Sequence, residues 1–164
     1  MRPFPLLKDP TYTEKEQYTS FDNFWLSKIR DKRDLQLVSF TIRLILLFIP
    51  LAIILYLPLP LYIWIPLAVF YSWMNIFRYK SRFTLLMHIT SHRPWFKSQY
   101  SFMNRFLPWI LGPFMGQSPE AYFSHHIGMH HIEGNLEDDD STTMHYQRDS
   151  KLDFSKYLLG FLFF

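Results

Sequence analysis

Two long apolar runs dominate the chain. The first, VSFTIRLILLFIPLAIILYL over residues 38–57, holds a single charge, Arg43. The second, PLYIWIPLAVFYSWMNIF over 60–77, holds none. As an α-helix, the 20 residues of the first run extend roughly 30 Å, the thickness of a bilayer hydrocarbon core. Between the runs Pro58, Leu59 and Pro60 leave room only for a tight turn. The pattern predicts an all-α integral membrane fold built on a transmembrane helical hairpin. A buried helix pair in a water-soluble core is the competing reading, and the chain lacks the amphipathic sequence to cover one. Arg43 lies early enough in its run to snorkel back to the N-terminal side.

The flanks are of a different character. Residues 1–34 alternate charged, polar and aromatic positions and contain no signal-peptide core. TYTE at 11–14 offers a capping box, which predicts a wet or interfacial helix over 13–34. The expected organisation is an N-terminal cytoplasmic or interfacial segment, 1–34, followed by a membrane domain, 35–164. Within that domain RFLPWILGPFMG, 105–116, is interrupted by Pro108, Gly112 and Pro113 and is too short to span. It reads as interfacial or re-entrant. FSKYLLGFLFF, 154–164, reads as the first half of a third span, so the domain is expected to be incomplete at its C-terminal end.

Charge orients the hairpin. From Arg78 to Arg105, both included, there are six Lys or Arg residues and no acid, and Lys28, Arg30, Lys32 and Arg33 precede the first run. The turn at 58–60 carries no charge. Both ends of the hairpin are therefore expected on the cytoplasmic side. The net charge of +3 points to a bilayer rather than to nucleic acid, because the basic residues cluster beside apolar runs. There is no cysteine. That excludes disulfides, thiolate zinc, iron–sulfur clusters and haem-thiolate chemistry within this chain. Any transition metal must sit on nitrogen and oxygen.

Six of the seven histidines fall in two clusters. In HITSH, His88 and His92 are four apart, one helical turn above each other. Pro94 ends that helix, since the residue before a proline disfavours helical geometry. In SPEAYFSHHIGMHHIEGN, Ser118 is an N-cap, Pro119 the first helical residue, and Gly134 and Asn135 suit the C-terminal end. An α-helix between them places His126 and His130 on one face. His131 is then turned about 100° from His130, and His125 about 100° to the other side of His126. His145 stands alone and reads as a satisfied surface or core residue rather than a ligand. Five or six imidazoles exceed what a zinc hydrolase needs. They suit two metal ions, and two irons can share the electrons needed to cleave dioxygen and attack an inert C–H bond.

The order HxxxH (His88, His92) then HxxxHH (His126, His130, His131), set behind a helical hairpin, resembles the first two histidine boxes of the membrane fatty acid desaturases and hydroxylases. The segment HHIEGN…DDDST…YQRD, 130–149, is also similar to the stretch after the second box in desaturase-like members. The resemblance covers roughly residues 35–164. It implies cytoplasmic-side helices that carry a non-haem di-iron centre, with dioxygen as oxidant and a separate electron-transfer protein as donor. The substrate it implies is an acyl lipid in the bilayer. His88, His92, His126, His130 and His131 carry over as iron ligands. His125 matches no motif position and is kept as a residue that hydrogen-bonds to a ligand. Asn135 and Asp138–Asp140 are candidates to orient imidazole N–H groups, although a polar loop capping the next helix is the preferred reading of the acidic run.

The family carries a third HxxHH-like box further downstream, which these 164 residues do not contain, and His145 does not replace it. The expectation is the N-terminal part of a desaturase. The alternatives are an alkyl or lipid hydroxylase of the same superfamily, a catalytically incomplete membrane protein and, more distantly, a zinc-dependent membrane hydrolase.

Overall fold

The computed structural model describes residues 15, 17–134, 136, 137, 139, 142–147 and 149–163. Among these there is no strand, only one isolated antiparallel bridge between Ile29 and Phe96, and the chain is all-α. It divides into two compact units, Met1–Met115 and Gly116–Phe164.

The first unit opens with α1, Ser20–Leu26. Thr19 Oγ1 accepts from the Asp22 N–H and the Asp22 carboxylate accepts from the Thr19 N–H, at 3.1 and 3.0 Å. This is a capping box, though not the TYTE box at 11–14, of which Thr11 to Glu14 lie outside the described residues. The single helix expected over 13–34 does not form. After Leu26 the chain turns and is drawn against residues 95–97: Arg30 N–H donates to Trp95 O at 2.8 Å and Lys97 N–H to Lys28 O at 2.9 Å. Those distant backbone partners take the place of helical ones. A short 3-10 turn, Lys32–Asp34, then leads into α2, Leu35–Leu55.

Helix α2 buries Leu35, Val38, Leu44, Phe48 and Ala52 and leaves Leu46 and Ile53 exposed. With its lead-in, residues 32–55, it is the one helix among the described residues long and apolar enough to cross a membrane. Helix α3, Leu61–Trp73, runs antiparallel to it: Trp64 Nε1 donates to Leu55 O at 2.8 Å, and the Phe48 and Tyr71 rings meet at 5.3 Å. None of the residues of α3 is buried. The α-helical part of the second apolar run is thus 13 residues, short of the roughly 20 that span a bilayer. It continues as a π-helical stretch, Met74–Tyr79, and then as α4, Lys80–His92.

Polar side chains around this π stretch receive the end of the next helical segment. That segment comprises α5, Met103–Phe106, a π stretch, Leu107–Leu111, and α6, Gly112–Phe114. Tyr71 Oη and Asn75 Nδ2 both donate to Phe114 O, and Lys80 Nζ donates to Met115 O at 2.7 Å. Burial pushes the Lys80 ammonium below the usual lysine value. Leu107, Leu111 and Met115 are buried while Trp109 and Ile110 are about half exposed. Residues 103–114 amount to roughly 18 Å of helix, in keeping with a segment that does not span.

One ion pair joins the start of α2 to the end of α4. Asp34, 1% exposed, accepts from both terminal nitrogens of Arg93, the residue after His92. Hydrogen bonds to a charged group contribute about 1.5–3 kcal/mol. Asp34→Ala should therefore destabilise the first unit by about that amount, read as a lower thermal unfolding midpoint of the full chain in nanodiscs. An unchanged midpoint would show that Arg93 finds an equal partner in water.

The second unit holds one helical stretch, Pro119–Glu133, a series of turns, and α9, Lys151–Phe163. Tyr146 and Tyr157 meet edge-on at 5.5 Å, and Asp153 accepts from the Gln147 N–H, so α9 is tied to the turn before it.

Candidate metal centre

In the first unit, α4 carries His88 and His92 at the four-residue spacing that stacks them on one face. Their ring centroids are 4.6 Å apart, and one ligating nitrogen from each lies within 4.8 Å of the other. The expected stop also holds: α4 ends at His92, and Arg93 ahead of Pro94 is extended.

In the second unit the helix begins as expected. Ser118 Oγ accepts from the Ala121 N–H at 3.3 Å, Pro119 is the first residue of α7, Pro119–Phe123, and Gly134 closes the far end in a left-handed conformation, φ 63°. Between these ends the geometry departs from expectation. Ser124–His130 is π-helical, followed by α8, His131–Glu133. Hydrogen bonds spanning five residues bring positions five apart onto one face. His126 therefore meets His131: their centroids are 4.6 Å apart and their Nε2 atoms 3.3 Å apart. His126 and His130 lie parallel but further apart, at 5.9 Å. His131 is not the outlying histidine that an α register would make it. Gly128 sits mid-stretch with open space where a Cβ would stand, and glycine is the residue least committed to α geometry.

The Nε2 separation decides what this pair can do. Imidazole nitrogens bind first-row metals at about 2.0–2.1 Å, so two ligands on one ion stand roughly 3.0–3.5 Å apart at ordinary coordination angles. The observed 3.3 Å falls in that window. His126 is buried, 8% exposed, and Tyr122 stacks on its ring at 5.2 Å. Tyr122 escaped the sequence reading; its signal is an aromatic four residues before the candidate ligand His126.

His130 is held from behind. Its Nδ1 lies 2.7 Å from Oδ2 of Asp139, which is 1% exposed. Such a carboxylate sets the imidazole orientation with Nδ1 turned to it, which leaves Nε2 as the nitrogen a metal would meet. Asp139 is thus more than part of a polar loop, the reading the sequence favoured for the acidic run. Asn135, Asp138 and Asp140 lie outside the described residues. His125 is exposed, with its ring 6.4 Å from that of His130. His145 lies exposed in the turn before Tyr146.

The sequence matches the family described as fatty acid desaturase over residues 76–164, the stretch that contains both histidine clusters. Neither the curated proteins nor the solved structures give a match.

Proposed function

Since the chain belongs to the fatty acid desaturase family, we propose that it acts in the oxygen-dependent desaturation of acyl lipid chains at a membrane, using non-haem iron. The family match over both histidine clusters carries this reading. His88, His92, His126, His130 and His131 are the proposed ligands of two irons, with dioxygen as oxidant and a separate protein delivering electrons. Imidazoles, one of them backed by a buried carboxylate, suit divalent iron and need no thiolate.

When bound, iron would supply the activation of dioxygen that an unactivated C–H bond requires. The residues of the chain have narrower tasks. Asp139 accepts a hydrogen bond from the Nδ1–H of His130, which orients the ring and leaves Nε2 as the nitrogen that would bind iron. Tyr122 holds the plane of the His126 ring, and Gly134 ends the helix directly after the ligands. The membrane part of the proposal rests on α2 and on α3, a helix apolar on every side whose large side chains lie open. We place α2 as one span and α3 with the π stretch that continues it, Met74–Tyr79, as the other, the turn at 58–60 on the far side, and the histidines on the cytoplasmic side with the basic residues.

The test is a reconstituted assay of the chain in acyl-lipid vesicles with oxygen and a reductase system. Double bonds in recovered acyl chains, counted by gas chromatography–mass spectrometry, are the expected product. Chelation should abolish them, and ferrous iron, but not zinc, should restore them. A hydroxylated product without alkene would move the assignment to the hydroxylase branch. Turnover without oxygen would end the iron reading.

A further inference from the structure

Arg43, the only charged residue between 38 and 77, lies on α2, the helix long and apolar enough to span. It is exposed, and its Nε donates to Ser39 O at 3.3 Å, so the side chain folds back along the helix toward its start. No acid among the described residues pairs with it. A charged side chain in a membrane-spanning helix is costly and rarely stands without a partner. A guanidinium at that place calls for an anion.

Arg43 lines a pocket of about 240 Å³ that is open to the surface. Lys32, Gln36 and Ser39 line it beside Arg43, and Lys15 and Tyr18 from the segment ahead of α1. Gln36, Ser39 and Arg43 fall within about 60° of one another around the axis of α2, away from the buried Leu44, Phe48 and Ala52. Lys15 is held in place: its Nζ donates to both carboxylate oxygens of Asp22, at 2.9 and 3.0 Å. Among the described residues of the wall none is acidic and none is a histidine.

Charge and depth select the occupant. A phosphate offers the oxygens that a guanidinium grips in pairs, and it can also accept from the polar groups of Gln36, Ser39 and Tyr18. A headgroup with a cation of its own, as in phosphatidylcholine, would bring an ammonium into a wall that already holds Lys15, Lys32 and Arg43. An anionic headgroup brings none. From Gln36 to Arg43 is about 10 Å of helix, against a headgroup layer of roughly 5–8 Å on each side of a bilayer. If α2 spans, the pocket runs from that layer to the edge of the hydrocarbon, and residues 44–57 beyond it are uncharged. A phospholipid holds its phosphate at that level above its acyl chains. A free phosphate has nothing to lay along the apolar continuation.

We propose that this pocket holds the phosphate of an anionic bilayer phospholipid, gripped by Arg43 with Lys32 beside it. The site rests on the proposed placement of α2 in the bilayer. A lipid held there sets the depth of α2 and ties its first turns to the segment ahead of α1.

The experiment places the full chain in nanodiscs of phosphatidylcholine with a minor fraction of phosphatidylglycerol, and native mass spectrometry counts the lipids that stay bound on release. Phosphatidylglycerol should be retained well above its share of the disc. Arg43→Gln and Lys32→Gln should each lower that preference about fivefold, with retained phosphatidylcholine unchanged as the check on folding. Ser39→Asp, which puts an acid in the wall, should abolish it. Arg33→Gln is the control, since Arg33 is paired with Asp31 and is not part of the wall; it removes the same charge and should change the preference less than twofold. An equal loss in Arg33→Gln and Arg43→Gln would show general attraction to a charged surface and overturn the site. So would equal retention of the two lipids, which leaves the membrane reading intact. Displacement of the lipid by inorganic phosphate, at an ionic strength where chloride does not displace it, would assign the pocket to a soluble anion instead. No retained lipid of either kind, with the chain extracted by carbonate, would overturn the membrane reading and the site with it.

Discussion

His131→Ala should strip iron from the chain as completely as His126→Ala, with at least a hundredfold loss of oxygen-dependent activity, beyond the roughly 10–100-fold caused by disturbing a ligand's partner. The expectation comes from the π register. In an α-helix His131 would be rotated away from His126, and its loss would matter less than that of His130. With Ser124–His130 π-helical, the Nε2 atoms of His126 and His131 stand 3.3 Å apart, and removing either dissolves the pair. His125→Ala is the control: this residue is exposed and its ring is 6.4 Å from that of His130, so iron content should hold. Metal analysis of the purified variants reads the result directly. If His131→Ala keeps its iron while His130→Ala loses it, the π pairing is not what holds the metal.

At that same helix the ends were legible in the sequence because local chemistry sets them: Ser118 and Pro119 start it and Gly134 stops it, each acting within a turn. The stop of α4 before Pro94 is of the same kind. The internal register was not legible, because HxxxHH satisfies both periods. Four-residue spacing pairs His126 with His130, five-residue spacing pairs it with His131, and nothing in the letters chooses between them. The 13–34 helix failed for a different reason. Residues 28–30 have helix-compatible composition, but their backbone partners lie far along the chain at Trp95 and Lys97, and local propensity carries no trace of such a partner. The helical character of the apolar runs was plain from their composition. Their length as continuous α-helix was not, since the second changes to π geometry at Met74.

Asp139→Ala should weaken iron binding about 10–100-fold, and the comparison with Asp139→Asn separates two contributions that the native carboxylate combines. Asp139 is 1% exposed and 2.7 Å from His130 Nδ1. Asparagine can still accept that N–H through its amide oxygen, so the tautomer is preserved while the negative charge behind the ring is lost. Alanine removes both. If orientation alone matters, Asn should behave as Asp does. If the charge also raises the basicity of Nε2, Asn should fall between Asp and Ala. We expect the intermediate result, because a carboxylate–imidazole hydrogen bond is charge-assisted and roughly twice as strong as a neutral one. The measurement is competitive iron titration of the three proteins, with helical content by circular dichroism as the check on folding. An Asp139→Ala variant that folds and binds iron as the native chain does would remove Asp139 from the site. A carboxylate buried to that degree would then need another reason to be where it is, since burying a charge is costly unless it is paired.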